Sequence, residues 1–206
     1  FSSRKNVIPR VAASPRDSLS SANASSAAGG VLRETVAERG LSLLGEGGVA
    51  HIRACTGSRV CALGITDSPA VGSRLASRPG LRRNSSLRVS VSGCPNSCAQ
   101  HQIADIGLAG SKVRVGGVTV DGYQVFVGAD LDRHEIGEVI GRVGEAHLDQ
   151  AIDAIIGTWE ALRHHHESLS RTVRRLGLEG FSSQIRAALD DRWAPGPEPS
   201  ETLVSL

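Results

Sequence analysis

All four cysteines of the chain lie in two short blocks, Cys55-Thr56-Gly57-Ser58-Arg59-Val60-Cys61 and Ser92-Gly93-Cys94-Pro95-Asn96-Ser97-Cys98. The pattern is C-x5-C, 32 intervening residues, then C-x3-C. Thiolates are the natural ligands of iron–sulfur clusters, and four of them complete the shell of a [4Fe–4S] cube. Structural zinc also takes four thiolates, but its cysteine pairs are usually separated by only about two to four residues. C-x5-C is wide for that. Two disulfides would use the same residues, yet disulfides belong mainly to oxidising compartments. Spacing by itself leaves all three open and favours iron–sulfur.

The neighbouring sequence has to hold these blocks in place. Leu87, Val89 and Val91 alternate with Arg88, Ser90 and Ser92, the period-2 pattern of a half-buried strand. That strand runs directly into Gly93-Cys94. Gly93 lets the backbone come close to an inorganic sulfide, and Pro95 fixes one φ of the turn. Residues Val49–Ala54 read as a short extended run delivering Cys55. After Cys61 a helix is predicted to begin near Asp67-Ser68-Pro69, where proline suits the first turn. Arg78–Ser86 reads as a basic loop.

Downstream, Ile106–Leu108, Lys112–Val118 and Tyr123–Val127 are predicted strands, punctuated by Gly110, Gly116, Gly117, Gly122 and Gly128 as turns. Asp132 and Glu135 resemble a capping box. Ile136, Val139, Ile140 and Val143 follow at helical spacing, so an amphipathic helix is predicted there. A second helix carries Leu148, Ile152, Ile155, Ile156, Trp159 and Leu162 on one face. Leu169, Val173 and Leu176 extend the helical pattern to Gly177, and Ile185, Ala188 and Leu189 mark a last short helix. Upstream, Val31–Leu44 suggests a helix through Arg39 stopped by Gly40, and Gly45–Gly48 a turn.

Bulk properties bound the function. The chain has 206 residues, 40% of them hydrophobic but only 3% aromatic, so its core must be largely aliphatic. A net charge of +2 is too mild to argue for nucleic acid. No run of about 18 apolar residues suggests a membrane span, and no signal-peptide pattern opens the chain. A cytoplasmic setting is expected. The chain starts at Phe1 and contains no methionine, so it reads as part of a longer protein. Residues 1–31 are expected to be the end of a preceding domain (Phe1–Val11) plus a Ser/Ala-rich linker, 32–194 the main domain, and 195–206 a flexible tail.

The run Ser92-Gly93-Cys94-x3-Cys98-x6-Asp105-Ile106-Gly107-Leu108, with Cys55-x5-Cys61 before it, resembles the signature of the sirohaem-containing nitrite and sulfite reductases. Glu167-Ser168-Leu169 and Gly177…Phe181 resemble the same family's C-terminal helices. The resemblance covers about Leu32 to Ala194. It implies an α/β (α+β) fold, a small mixed or antiparallel sheet with packed helices. It implies that Cys55, Cys61, Cys94 and Cys98 each bind an iron of a [4Fe–4S] cluster, and that Cys98 bridges the cluster to sirohaem. Asn96 matches a position beside the macrocycle. The implied reaction is the six-electron reduction of nitrite to ammonium or sulfite to sulfide. The donor is reduced ferredoxin or a flavoprotein. Members of the family are about twice this length or more, and their substrate-gripping Arg and Lys residues come mainly from an N-terminal half. This chain alone is therefore expected to be inactive, and no residue in it is assigned to the substrate anion. From other classes, a non-catalytic Fe–S electron-transfer module and a zinc-stabilised structural domain remain as alternatives.

Other conspicuous residues have plainer readings. His164-His165-His166 point about 100° apart on a helix and cannot form one metal site; a solvated helix end is expected. His101 is read as a loop histidine, with the haem edge as its functional alternative. Arg59 is a candidate cation near Cys61. Arg82, Arg83 and Arg88, and Arg171, Arg174 and Arg175, form basic clusters that suit either an acidic ferredoxin or an ordinary solvated face. The glycine-rich segments lack the Lys-Ser/Thr of a phosphate loop and are read as turns.

Overall fold

The computed structural model describes residues 51–84, 86–115 and 117–196, with isolated positions at 34–35 and 38–39. The chain divides into two compact units, 1–43 and 44–206. In the first, Glu34, Thr35 and Glu38 are helical and Arg39 lies in a turn, within the helix predicted there. The readings made for 1–30, 45–48 and 197–206 fall outside the described residues.

In the second unit, six strands follow one another across a single sheet in chain order. Strands β1 (Ile52–Ala54), β2 (Val89–Ser92) and β3 (Ile106–Val115) run parallel. Strands β4 (Val118–Val127), β5 (Glu138–Gly144) and β6 (Trp193–Pro195) are added antiparallel. The sheet is therefore mixed, as expected. Helices α1 (Ser68–Ala76) and α2 (Pro79–Arg83) cross from β1 to β2, while α3 (Leu148–Leu162), α4 (Leu169–Leu176) and α5 (Leu178–Leu189) lie between β5 and β6.

One face of the sheet meets the helices. Val89, Val91, Ile106, Leu108, Tyr123, Val125 and Val143 pack there with Val71 and Leu75 of α1, Ile152 and Ile155 of α3, and Phe181 and Ile185 of α5. Each fully buried aliphatic chain contributes about 1.5–3 kcal/mol, an upper bound set by the unfolded reference. The other face carries Ser90, Ser92, Gly107 and Ala109 and is covered by the segment after Cys98. There His101 packs on Phe126 with ring centroids 4.6 Å apart. Hence all four residues of β2 are buried, not only alternate ones as its pattern suggested.

The structure changes several readings. Residues 138–144 form a strand, not the predicted helix. Ile140 and Val143 are both in the core, three residues apart. A regular strand forbids that, but β4–β5 slips register at Val125/Phe126, and one extra residue restores both side chains to the same face. The bulge thus imitates helical spacing. Gly137, Gly141 and Gly144, with β-branched Val139, Ile140 and Val143, disfavour a helix locally. Gly110 and Gly122 lie inside β3 and β4, not at turns; the hairpin reverses at Gly117, with φ +83°. The basic loop of 78–86 contains the short helix α2, begun by Pro79.

Candidate metal centre

The two cysteine blocks start at the carboxyl ends of adjacent parallel strands. Cys55 follows Ala54 of β1 and extends the ladder, its N–H donating to the Val91 carbonyl at 3.0 Å. Gly93 and Cys94 follow Ser92 of β2. Ligand sites recur at this end of parallel strands because the chain must leave the sheet there in loops.

The loops close on each other through backbone groups. The carbonyl of Gly93 accepts from Ile65 N–H at 2.8 Å and Thr66 N–H at 3.2 Å. Its own N–H donates to Cys55 Sγ at 3.1 Å. Within the first loop, Cys61 N–H bonds the Gly57 carbonyl at 3.0 Å and Ser58 N–H bonds the Thr66 carbonyl at 2.9 Å. Gly57 has φ +55°, a conformation glycine adopts at little cost. The packing leaves no room for more: a Cβ on Gly93 would lie 2.7 Å from Ser68 Oγ and 2.9 Å from Gly57 Cα, and one on Gly110 would lie 2.3 Å from the Gly93 carbonyl.

Each predicted residue now has a place. Cys94 is buried, Cys55 and Cys61 are half-buried, Cys98 is exposed, and none is in a disulfide. Burial pushes the Cys55 thiol up, but hydrogen bonds from Ser68 Oγ and from the backbone N–H groups of Gly93 and Gly57 outweigh it, and the net shift is downward. Among the described residues no three His, Cys, Asp or Glu side chains converge on a single-ion site. The four thiols lie on two loops that bond to one another through Gly93, Ile65 and Thr66. Asn96 is exposed between Cys94 and Cys98. Arg59 is engaged by Asp67 at 2.7 Å, and Asp67 in turn caps α1 by accepting from Ala70 N–H at 3.1 Å. That bond to Arg59 holds the Asp67 carboxyl below the usual range.

The segment after Cys98 is pinned to the sheet. Ser97 and Gln100 both have φ +58°, making a tight turn around Cys98. Ala99 N–H donates to Ser92 Oγ at 3.3 Å, and His101 Nδ1 lies 3.1 Å from the same oxygen. His101 is 1% exposed, and burial pushes its imidazole down to about 4. It is a buried neutral group held between Ser92 and Phe126. Asp105 accepts from Arg88 N–H at 2.8 Å, Nε at 3.0 Å and a terminal nitrogen at 3.0 Å. Gly107 admits the His101 carbonyl, which would lie 2.0 Å from a Cβ there. Asp105 and Gly107 therefore fasten the Cys98 loop to the sheet. Beside it a cleft of about 330 Å³ opens between Arg53, Arg88, Ser90 and Gln100.

Other candidates stay apart from this site. His164, His165 and His166 are exposed just past the end of α3. Arg83, Arg174 and Arg175 are paired with Glu160, Glu135 and Glu167, so the basic clusters are largely neutralised. Ser68 and Thr66 were not singled out in the sequence. Ser68 sits in Asp67-Ser68-Pro69, which reads only as a helix start, and nothing local signals that its hydroxyl faces a cysteine.

Comparison with known proteins points the same way. Residues 45–192 match the family model described as the nitrite and sulphite reductase 4Fe-4S domain. The ferredoxin–nitrite reductase of Synechococcus elongatus is 33% identical over 138 residues, 65% of this chain and 23% of that protein. Sulfite reductase [ferredoxin] 1 of Mycolicibacterium paratuberculosis is 32% identical over 141 residues, 56% of this chain and 25% of that protein. The chain thus spans about a quarter of the length of these relatives. The solved structure of Mycobacterium tuberculosis NirA superposes with a TM-score of 0.60 at 27% identity, covering 74% of this chain and 30% of that one. Dissimilatory sulfite reductase I shares the fold, with a TM-score of 0.57 at 11% identity.

Proposed function

Because the chain belongs to the nitrite and sulphite reductase 4Fe-4S domain family, we propose that Cys55, Cys61, Cys94 and Cys98 hold a [4Fe–4S] cluster in the redox half of an assimilatory nitrite or sulfite reductase. The observation that carries this reading is the closure of the two cysteine loops on one another, with Gly93 N–H aimed at Cys55 Sγ at 3.1 Å. Four free thiols on two loops tied by backbone bonds supply the donor types such a cluster needs. Bound there, the cluster and sirohaem would relay to nitrite or sulfite the six electrons that an external donor provides, giving ammonium or sulfide.

The chain's own residues do the holding. Cys94, buried at the base of its loop, fixes one corner. Cys55 accepts hydrogen bonds that favour its thiolate form. Cys98, exposed on a turn shaped by Ser97 and Gln100, would bridge to sirohaem in this reading, and Asn96 lies on the same exposed turn. Arg53 beside the adjoining cleft offers a cation to a carboxylate-rich macrocycle; its described partner is the neutral Gln100. Among the described residues no helix is long and apolar enough to cross a membrane. We place the protein in the reducing cytoplasm, with reduced ferredoxin or a flavoprotein as donor, a small anion as substrate, and residues beyond this chain gripping that anion.

The test is anaerobic purification of the complete protein. About five irons, four from the cluster and one from sirohaem, and about four sulfides per protein are expected, with a broad band at about 400 nm and added sirohaem bands. A colourless protein with stoichiometric zinc overturns the redox reading. Turnover with each anion then separates nitrite from sulfite.

A further inference from the structure

Ser68 is buried completely, at 0% exposure. It lies at the start of α1, yet its hydroxyl is not needed there, because Asp67 already caps the helix through Ala70 N–H. Its Oγ lies 3.3 Å from Cys55 Sγ. Glycines shape the space around it on both sides: a Cβ on Gly57 or on Gly93 would lie 2.7 Å from that oxygen. The hydroxyl is thus confined between the two cysteine loops with the sulfur as its partner. Among the described residues Cys55 is the one cysteine with side-chain hydrogen bonds: its sulfur accepts from Gly93 N–H and pairs with the Ser68 hydroxyl.

We propose that Ser68 is a tuning residue for the metal centre, its hydroxyl donating to the Cys55 thiolate and holding the reduction potential of the centre higher than cysteine ligation alone would. The inference rests on the reading of Cys55 as a cluster ligand. A ligating thiolate has no proton, so the direction of this bond is set: Ser68 donates. A donor to a ligand sulfur draws off electron density. It stabilises the reduced, more negative state more than the oxidised one, which raises the potential. Gly93 N–H, which bonds the same sulfur, would act in the same sense.

The experiment compares the complete wild-type protein with Ser68→Ala and, as a control on the same helix, Ser73→Ala, whose exposed hydroxyl bonds the Pro69 carbonyl at 2.9 Å. Iron and sulfide are counted first; a wild-type protein without them overturns the ligand reading itself. With clusters present, redox titration followed by electron paramagnetic resonance is expected to give a more negative midpoint for Ser68→Ala and an unchanged one for Ser73→Ala. Equal midpoints in wild type and Ser68→Ala overturn the role of Ser68 and leave the ligand reading intact. If Ser68→Ala does not retain iron, Ser68→Thr and Ser68→Val, alike in shape and differing in the hydroxyl, repeat the comparison. A more negative midpoint for the valine variant supports the inference, and equal midpoints sink it.

Discussion

The backbone N–H of Gly93 donates to Sγ of Cys55 at 3.1 Å, so the residue preceding the second cysteine pair touches the first pair directly. This joins loops 38 residues apart in sequence. It requires that residue 93 have no side chain, since a Cβ would meet Ser68 Oγ at 2.7 Å and Gly57 Cα at 2.9 Å. Gly93→Ala is therefore expected to cost about 1–3 kcal/mol, the usual range for overpacking a tight site. It should also lower the iron content. Denaturant unfolding and an iron assay check both, and wild-type values in each would show that the loops tolerate separation.

Cys98→Ser in the complete protein is expected to abolish anion reduction. A serine alkoxide is a poor substitute for the soft thiolate that iron–sulfur chemistry requires. Steady-state turnover with nitrite and with sulfite is the measurement. A variant with normal turnover would refute the bridging role proposed for this exposed thiol.

His101 predicts a pH dependence of stability. Its folded imidazole titrates at about 4 against 6.5 when unconstrained. Between those values the unfolded chain binds a proton that the folded protein refuses, so stability falls as pH drops from 6.5 toward 4 and levels off below. His101→Gln removes this contribution. Unfolding free energies measured across that range should slope less steeply in the variant, and parallel slopes would contradict the assignment of His101 as a buried neutral group.

Asp105 binds Arg88 through three hydrogen bonds. Asp105→Ala leaves a half-buried guanidinium and a backbone N–H without this partner, and a loss of about 1–3 kcal/mol is expected. Arg88→Ala should cost less, and the double variant should fall short of the sum of the two. Additive losses would mean that the pair does not act as one clamp on β2 and β3.

Much of the fold was legible in the chain. The helix over Leu148–Leu162 matched its apolar spacing, Gly177 ended α4, and Asp67-Ser68-Pro69 began α1, because caps and helical periodicity are local signals. What failed was also local in appearance. Ile136, Val139, Ile140 and Val143 read as a helix, but only Ile140 and Val143 share the core face, because a β-bulge against Val125/Phe126 reproduces that three-residue step, while Ile136 is exposed. The bulge exists only in the pairing with β4, so no window along β5 contains it. Gly110 and Gly122 read as turns for the same reason. Their lack of a side chain answers to the carbonyls of Gly93 and Val143, each 2.3 Å from the missing Cβ, and those atoms are remote in sequence.

The sequence by itself determined the donor set: four thiols, their spacing, and the strand that carries the second pair. Ligand chemistry is a property of residue type, and the strand's alternation is written in neighbouring positions. Only the tertiary structure decided which atoms surround those thiols. Parallel pairing of β1 with β2 puts Cys55 beside Gly93, the loop from Cys55 to Asp67 returns Ser68 to the same point at the start of α1, and Asp105 pins the Cys98 turn by holding Arg88. These contacts join segments 13 to 38 residues apart. The free energy that selects them comes from burying Val89, Val91, Ile106 and Leu108 against the helices, a property of the assembled core.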